Sequence, residues 1–369
     1  MDGTGFLQRE HFGELIRILA GRGYRVIGPQ LRDGAIVYDD LSEVAQLPSG
    51  VIMDVQPARV HATVTQLPRY FSWANGPQAL KPLLFRPVET LWQACRDDKG
   101  RLEFSAADEQ EARPLAVIGV RACDLAALEL QDRHFLQGEY SDPHYARRRE
   151  GLLLVAVNCT HPDATCFCAS TGDGPQARTG FDLVLDELDT GFIIGAGSKR
   201  GTALMEDLSL LPVREDQLAK AAVSHQAARE AQTRALPPGD LYDALAARRE
   251  HPHWQAVAER CLSCGNCTSV CPTCFCSHER EQPRLDGSGS VHLREWDSCF
   301  SEGHSYITGL VIRAEPRHRY RQWLTHKLGA WHRQYGRSGC VGCGRCIAWC
   351  PVGIDLCEET AAVLGGGHD

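Results

Sequence analysis

The sequence predicts an α+β protein in which a mixed α/β part precedes a mainly α-helical, cysteine-rich part. Short apolar runs alternate with helical patterns from about residue 24 to residue 212. A segment rich in Ala, Arg, Glu and Gln follows, and clustered cysteines come after it. We therefore expect an α/β domain over residues 1–212, a helical linker over 213–250 and an α-helical domain over 251–369.

The first part contains six short runs that predict strands of a mixed sheet: 25–28, 35–38, 115–120, 152–157, 181–185 and 192–195. Before them, residues 1–22 predict an amphipathic helix, since Phe6, Phe12, Leu15, Ile16 and Leu19 fall on one face. The linker is interrupted by Pro237, Pro238 and Gly239, which predicts a helix, a turn and a second helix.

Eight cysteines form two runs of the same spacing, C-x2-C-x2-C-x3-C-P. This spacing is typical of paired [4Fe-4S] clusters, in which three thiolates bind one cube and the fourth binds its neighbour. Crossed ligation assigns a first cluster set, Cys261, Cys264, Cys267 and Cys350, and a second cluster set, Cys340, Cys343, Cys346 and Cys271. We therefore predict two [4Fe-4S] clusters, electron transfer, and a C-terminal domain of the ferredoxin type that loses its fold without iron.

Structural zinc is the alternative, because paired C-x2-C elements also build zinc ribbons. Zinc takes four ligands and would leave the third cysteine of each run without a role, so the spacing favours iron and sulfide.

Four more cysteines form an upstream set: Cys123, Cys159, Cys166 and Cys168. Cys123 and Cys159 follow two predicted strands, and ligands gather beyond the carboxyl ends of strands in open α/β sheets. The set is therefore a candidate for a third metal site, with [4Fe-4S] favoured over zinc. The alternative is that these are ordinary buried thiols.

Three further cysteines follow the first cysteine run in the sequence: Cys274, Cys276 and Cys299. They fit three special roles: tuning a cluster, binding another metal, or forming a redox-active disulfide. Simple packing is a fourth reading. Cys95 and Cys357 are solitary, and we expect them to be structural.

Composition excludes several classes of protein. A formal net charge of −8 argues against a nucleic-acid partner. No export signal precedes the first part, and the longest apolar stretch, 152–157, is too short to span a membrane. The sequence therefore predicts a cytoplasmic protein with no direct membrane insertion and cysteines kept reduced.

Nucleotide motifs are weak. Residues 195–201 contain three glycines after a predicted strand, but their spacing is not G-x-G-x-x-G, so we expect a tight turn and no flavin or nucleotide site. The basic and aromatic stretch 313–337 fits compensation of cluster charge or a docking face, and a solvated helix or a nucleic-acid surface is the alternative.

Six blocks, together with the two cysteine runs, resemble a known family: residues 80–89, 119–128, 166–168, 271–276, 296–299 and 317–327. They are similar to the β subunit of cytosolic sulfhydrogenase-type [NiFe] hydrogenases and to the dicluster electron-transfer subunit of the anaerobic sulfite reductase. One departure is Arg86, where the family pattern leads us to expect a second proline.

The resemblance implies an electron-transfer subunit with no catalytic residue of its own. Its partners would be a flavoprotein that binds FAD and NAD(P)H and a catalytic subunit, either a [NiFe] hydrogenase, which we favour, or a sirohaem sulfite reductase. It also implies that the eight residues of the cysteine runs, and the upstream set, bind clusters. Two alternatives of another class stay open: a stand-alone iron-sulfur reductase of sulfur or disulfides, and a metal-bound nucleic-acid scaffold.

Overall fold

A computed structural model of the chain describes residues 3–78, 80–106 and 113–365. Its strands are β1 (Thr4–Gln8), β2 (Arg25–Arg32), β3 (Ala35–Asp40), β4 (Val51–Gln56), β5 (Arg59–Val64), β6 (Val88–Arg96), β7 (Leu102–Ala106), β8 (Leu115–Val120), β9 (Leu153–Val157), β10 (Leu183–Leu188), β11 (Gly191–Ala196), β12 (Ser277–Pro283), β13 (Gly289–Trp296), β14 (Tyr306–Ile307) and β15 (Leu310–Val311). Its α-helices are α1 (Phe12–Gly21), α2 (Lys81–Leu84), α3 (Ala122–Leu136), α4 (Pro143–Glu150), α5 (Cys168–Thr171), α6 (Lys199–Met205), α7 (Glu215–Glu230), α8 (Tyr242–Ala246), α9 (His253–Arg260), α10 (Asn266–Ser269), α11 (Pro316–Thr325), α12 (Trp331–Tyr335), α13 (Arg345–Ala348) and α14 (Leu356–Leu364).

The first part is built on a seven-stranded sheet in the order β1-β11-β10-β9-β8-β2-β3. The four inner strands β10, β9, β8 and β2 pair in parallel, and the outer strands pair antiparallel. The predicted mixed sheet is confirmed. Its parallel centre places the carboxyl ends of β8 and β9 side by side, which brings the segments that follow them to one edge.

The predicted N-terminal helix is only partly correct. Within the described residues it is divided into β1 and α1, joined by a short 3-10 turn at Arg9–His11, while residues 1 and 2 lie outside the described residues. Phe6 is buried as predicted, but on strand β1, which pairs with β11. An antiparallel neighbour supplied by residues 191–195 overrides the helical pattern of this segment.

Apolar side chains cover both faces of the central sheet. One cluster joins Phe12, Leu15 and Leu19 of α1 to inward residues of the strands, and a second joins α3 and α4 to the opposite face. This sandwich fixes the strand ends rigidly, because closely packed interiors leave little room for side chains to shift.

The C-terminal part combines helices with strands, so the predicted mainly α-helical domain is not confirmed. Strands β12 and β13 form a hairpin between the two cysteine runs, and β13 pairs antiparallel with β6 in a four-stranded sheet, β12-β13-β6-β7. All seven residues of β12 are exposed, so it is an edge strand without an apolar face, and the hydrophobic pattern did not reveal it. The division into domains at residues 212 and 250 stays a prediction.

The segment predicted as a linker forms α7, an extended stretch and α8. Beyond it, α9, α11 and α14 enclose a second apolar core that includes Cys340, with five more cysteines packed against it. None of the described helices is long and apolar enough to cross a membrane.

Candidate iron-sulfur centres

The first cluster set converges on one cavity. Cys261 follows the last turn of α9, Cys264 and Cys267 flank the start of α10, and Cys350 follows α13. All four line the same space, whose walls include Phe300, Tyr320 and Trp323. The structure therefore brings together the four thiols that crossed ligation predicts.

The second cluster set lines a neighbouring cavity. Its lining contains Cys271, Cys340, Cys343 and Cys346, the four residues assigned from the spacing. Cys346 and Trp323 line both cavities, so one layer of side chains separates the two spaces. Within the described residues, no three His, Cys, Asp or Glu side chains are grouped as a site for a single metal ion.

The loops that carry these thiols depend on glycine. Gly265, Gly342 and Gly344 have φ values of 76°, 64° and 74°, a region that favours residues without a Cβ. Backbone amides also point at the sulfurs: the N–H of Ser263 donates to Cys261 Sγ and that of Ile354 donates to Cys350 Sγ, both at 3.4 Å. Such donors stabilise a thiolate that binds metal.

The upstream set is also brought together. Cys123 lies in the first turn of α3, directly after β8, and Cys159 follows β9, as the strand-end argument requires. Cys166 and Cys168 lie on the next loop, and all four thiols are at most 7% exposed. Asn75 lies among them: its side-chain Nδ2 is 3.8 Å from Cys166 Sγ, and its side-chain Oδ1 is 3.9 Å from Cys123 Sγ.

Burial decides the protonation of the upstream thiols. It raises the pKa of Cys159, raises that of Cys168 to about 12, and raises those of Cys123 and Cys166 well above their usual range. The neighbouring thiols add to the effect on Cys166 and Cys168. These side chains therefore keep their protons in the metal-free protein, and metal binding would release them.

The upstream set lies against the second cluster set. Phe167 N–H donates to Gly342 O at 2.8 Å, and Asn75 Nδ2 donates to Cys343 O at 2.9 Å. A Cβ on Gly342 would lie 2.6 Å from backbone atoms of Cys168. Only glycine fits this contact, and the three sets of thiols consequently lie in a row with the second set in the middle.

A buried ion pair fixes the same junction. Arg345, between Cys343 and Cys346, donates to both carboxylate oxygens of Asp124 at 2.7 and 3.1 Å, and both side chains are 1% exposed. Asp124 is the residue after Cys123, so the pair joins the second cluster set directly to the upstream set. Breaking it would leave an uncompensated buried charge, which costs about 3–5 kcal/mol.

Comparisons with known proteins bear on the two cysteine runs and on the chain as a whole. A family described as a 4Fe-4S dicluster domain matches residues 260–354. We call residues 260–354 the dicluster domain, after the family that this segment matches. Over 359 residues, 95% of each chain, the sequence is 27% identical to sulfhydrogenase 2 subunit beta of Pyrococcus furiosus, which confirms the predicted resemblance to that type of subunit. No solved structure matches.

The dicluster domain contains a second group of sulfur atoms beside its two cavities. The thiol of Cys274 donates a hydrogen bond to Cys271 Sγ. This bond and the nearby Lys327 ammonium lower the pKa of Cys271 well below its usual range, although burial acts in the opposite direction. His304 contacts Cys276, and its Nδ1 lies 2.8 Å from Asp297 Oδ2. These two contacts raise the pKa of His304 to about 9. These thiols border the cluster sets without lining their cavities.

Two buried lysines face this group. Lys327 donates to Thr273 Oγ1 at 2.8 Å and Lys81 lies 3.8 Å above the Trp296 ring. Burial opposes the charge of Lys327, but the adjacent sulfurs outweigh it and raise its pKa, whereas burial lowers the pKa of Lys81. The basic stretch 313–337 is therefore divided: Lys327 and Arg319 are buried, whereas Arg333 is exposed.

The solitary cysteines differ from each other. Cys95 is half-buried on β6, away from the sets of thiols in sequence and sheet. Cys357 is buried in the second apolar core, where burial raises its pKa and Cys340 is among its neighbours. A structural role for both remains our prediction.

Sequence reasoning missed several polar residues of the site. Besides Asn75 and the ion pair, Arg121 is 2% exposed and donates to the carbonyls of residues 71, 73, 74 and 157. It also stacks on Trp73, 4.1 Å from the ring centroid, and so holds the loop of residues 71–75 against the strand ends. Its position directly after β8, beside Cys123, is the signal that could have identified it.

Proposed function

We propose that this chain is an iron-sulfur electron-transfer subunit that holds three [4Fe-4S] clusters in a row. The first and second cluster sets would each hold one cube, and the upstream set would hold the third. The observation that supports this most strongly is the linear arrangement: Cys346 lines both cavities, and the peptide of Cys343 contacts the upstream set through Asn75.

The protein's own residues would bind and tune these groups. Four thiolates fix each cube, buried apolar walls exclude water, and Lys327 supplies positive charge beside the second set. A [4Fe-4S] cluster supplies reversible one-electron transfer, with a potential set by charge, hydrogen bonds and solvent exposure. Since Cys264 is exposed and the upstream thiols are buried, the row extends from the surface inward.

The partners follow from the likeness to a sulfhydrogenase β subunit. We propose that electrons pass between a flavoprotein subunit that binds FAD and NAD(P)H and a catalytic subunit of the [NiFe] hydrogenase type. The alternative is a sirohaem sulfite reductase, in which this chain would be the dicluster electron-transfer subunit. Copurification of the native complex, with nickel and sirohaem measured in the same sample, distinguishes the two.

The iron content tests the number of clusters. Anaerobically purified wild type should contain about twelve irons and as many acid-labile sulfides, and Cys166→Ser should contain about eight. Cys95→Ser is the matched control and should keep about twelve. An equal iron content in wild type and Cys166→Ser would reject the upstream site, and zinc in place of iron and sulfide would reject the whole proposal.

A further inference from the structure

The outer face of α11 forms one wall of a basic groove that the cluster chemistry does not use. Arg249, Arg313, Arg321, His318 and His326 line it, and its volume is about 460 Å³. The described residues that line this groove include no Asp or Glu, although the whole chain has a formal charge of −8. The groove is therefore a local region of positive charge on an acidic protein.

Helix α11 connects this groove to the first cluster set. Tyr320 and Trp323 lie on its inner face and line the first cavity, whereas His318 and Arg321 lie on its outer face and line the groove. One helix thickness, roughly 10 Å, separates the two spaces. A protein bound in the groove would therefore lie closer to the first cluster set than to the buried upstream set.

The arginines have unused hydrogen-bonding capacity. Among the described residues, Arg313 Nε is buried and has no hydrogen-bond partner. Arg321 is 26% exposed and donates to Arg249 O at 2.6 Å and to the carboxylate of Glu250, which is 88% exposed. An incoming carboxylate could replace the exposed carboxylate of Glu250 at Arg321 with little rearrangement.

An exposed apolar hairpin lies beside the groove. Strands β14 and β15 present Ile307 and Leu310, which are 59% and 64% exposed, and Ile312 of the same segment lines the groove itself. Apolar side chains next to arginines are typical of protein interfaces rather than of sites for small anions. Residues of this kind favour a protein partner.

We infer that this groove and hairpin form the docking surface for an acidic redox protein that exchanges electrons with the first cluster set. The inference rests on the proposed electron-transfer function. Charge complementarity selects the partner: acidic side chains enter the groove, and an apolar patch covers the hairpin. Surface charge of this kind accelerates association and makes it sensitive to salt.

The test compares two electron donors of opposite charge by anaerobic stopped-flow spectroscopy. Reduced acidic ferredoxin should reduce wild type rapidly at low ionic strength, and Arg249→Glu/Arg321→Glu should be at least about tenfold slower, with the difference shrinking in about 0.5 M NaCl. The cationic methyl viologen radical should reduce both proteins without such a loss. Arg17→Glu/Arg229→Glu, which reverses one exposed charge on α1 and one on α7, is the matched control and should react like wild type.

Three results would overturn the docking surface: equal ferredoxin rates in wild type and the groove variant, an equal loss in the control variant, or a wild-type rate that salt does not change. Leu310→Ser removes an exposed side chain and should also slow ferredoxin without affecting methyl viologen. Failure of methyl viologen to reduce wild type would instead contradict the proposed function, so the two failures are distinguishable.

Discussion

Replacing Lys327 by methionine should lower the reduction potential of the cluster at the second set. The ammonium is 3% exposed and donates to Thr273 Oγ1 at 2.8 Å, and that oxygen lies 3.3 Å from Cys271 Sγ. The positive charge is therefore at most about 6 Å from a proposed cluster ligand. Adding an electron makes the cluster more negative, so a nearby cation favours the reduced state.

Coulomb's law gives the magnitude. At an effective dielectric constant of about 20, two unit charges about 6 Å apart have an interaction energy of about 3 kcal/mol. At a separation of about 9 Å, the interaction energy is about 2 kcal/mol. For a one-electron couple these energies correspond to about 120 and 80 mV. Lys327→Met should therefore lower the midpoint potential by about 80–120 mV while its iron content stays at the wild-type value.

An anaerobic redox titration followed by electron paramagnetic resonance measures this potential. Lys327→Arg keeps the charge and should stay close to wild type, which separates electrostatics from packing. Lys220→Met removes a lysine that is 68% exposed and should have no effect. An unchanged midpoint in a fully loaded Lys327→Met protein would refute the reasoning.

Three further predictions concern the junction and the neighbouring thiols. Gly342→Ala should lose about four of about twelve irons, because the new Cβ would lie 2.6 Å from the upstream loop. The control is Gly336→Ala, which has a similar φ of 71° and open space around it and should keep its irons. Equal iron counts in the two variants would contradict this prediction. Arg345→Met should destabilise the protein by about 3–5 kcal/mol, measured by urea unfolding followed by cluster absorbance. Adding Asp124→Leu to the same chain should recover most of this loss. An Arg345→Met protein as stable as wild type would exclude a role for the pair. Cys276 and Asp297 raise the pKa of His304 to about 9. The stabilising effect of the protonated His304 should therefore be complete below about pH 6.5 and disappear as the pH rises through about 9. A His304→Gln protein should lack this step in its dependence of stability on pH, and the same profile in both proteins would disprove the prediction.

Much of the site could be predicted because its signals are local in sequence. Ligand spacing within each cysteine run is a property of a few consecutive residues, and the positions of Cys123 and Cys159 follow from the strands just before them. The structure brings each proposed set together. The ligand assignments themselves stay predictions until iron is measured.

Long-range contacts could not be predicted in the same way. The pair Arg345 and Asp124 joins residues 221 positions apart, and neither residue stands out in its own segment. Strand β12 is entirely exposed, so its pairing depends on β13, and β13 in turn pairs with β6 almost two hundred residues earlier. In each case the deciding partner is remote, and single-sequence patterns report only near neighbours.

The close contact between the loop of Gly342 and the loop of Cys168 has a consequence for maturation of the protein. The C-terminal segment lies against the loop of the upstream thiols, each of which is at most 7% exposed. We therefore expect a cofactor at that position to be delivered while the newly made chain is still open. Cys264, by contrast, stays accessible at the surface, so the outermost centre can be repaired or loaded last.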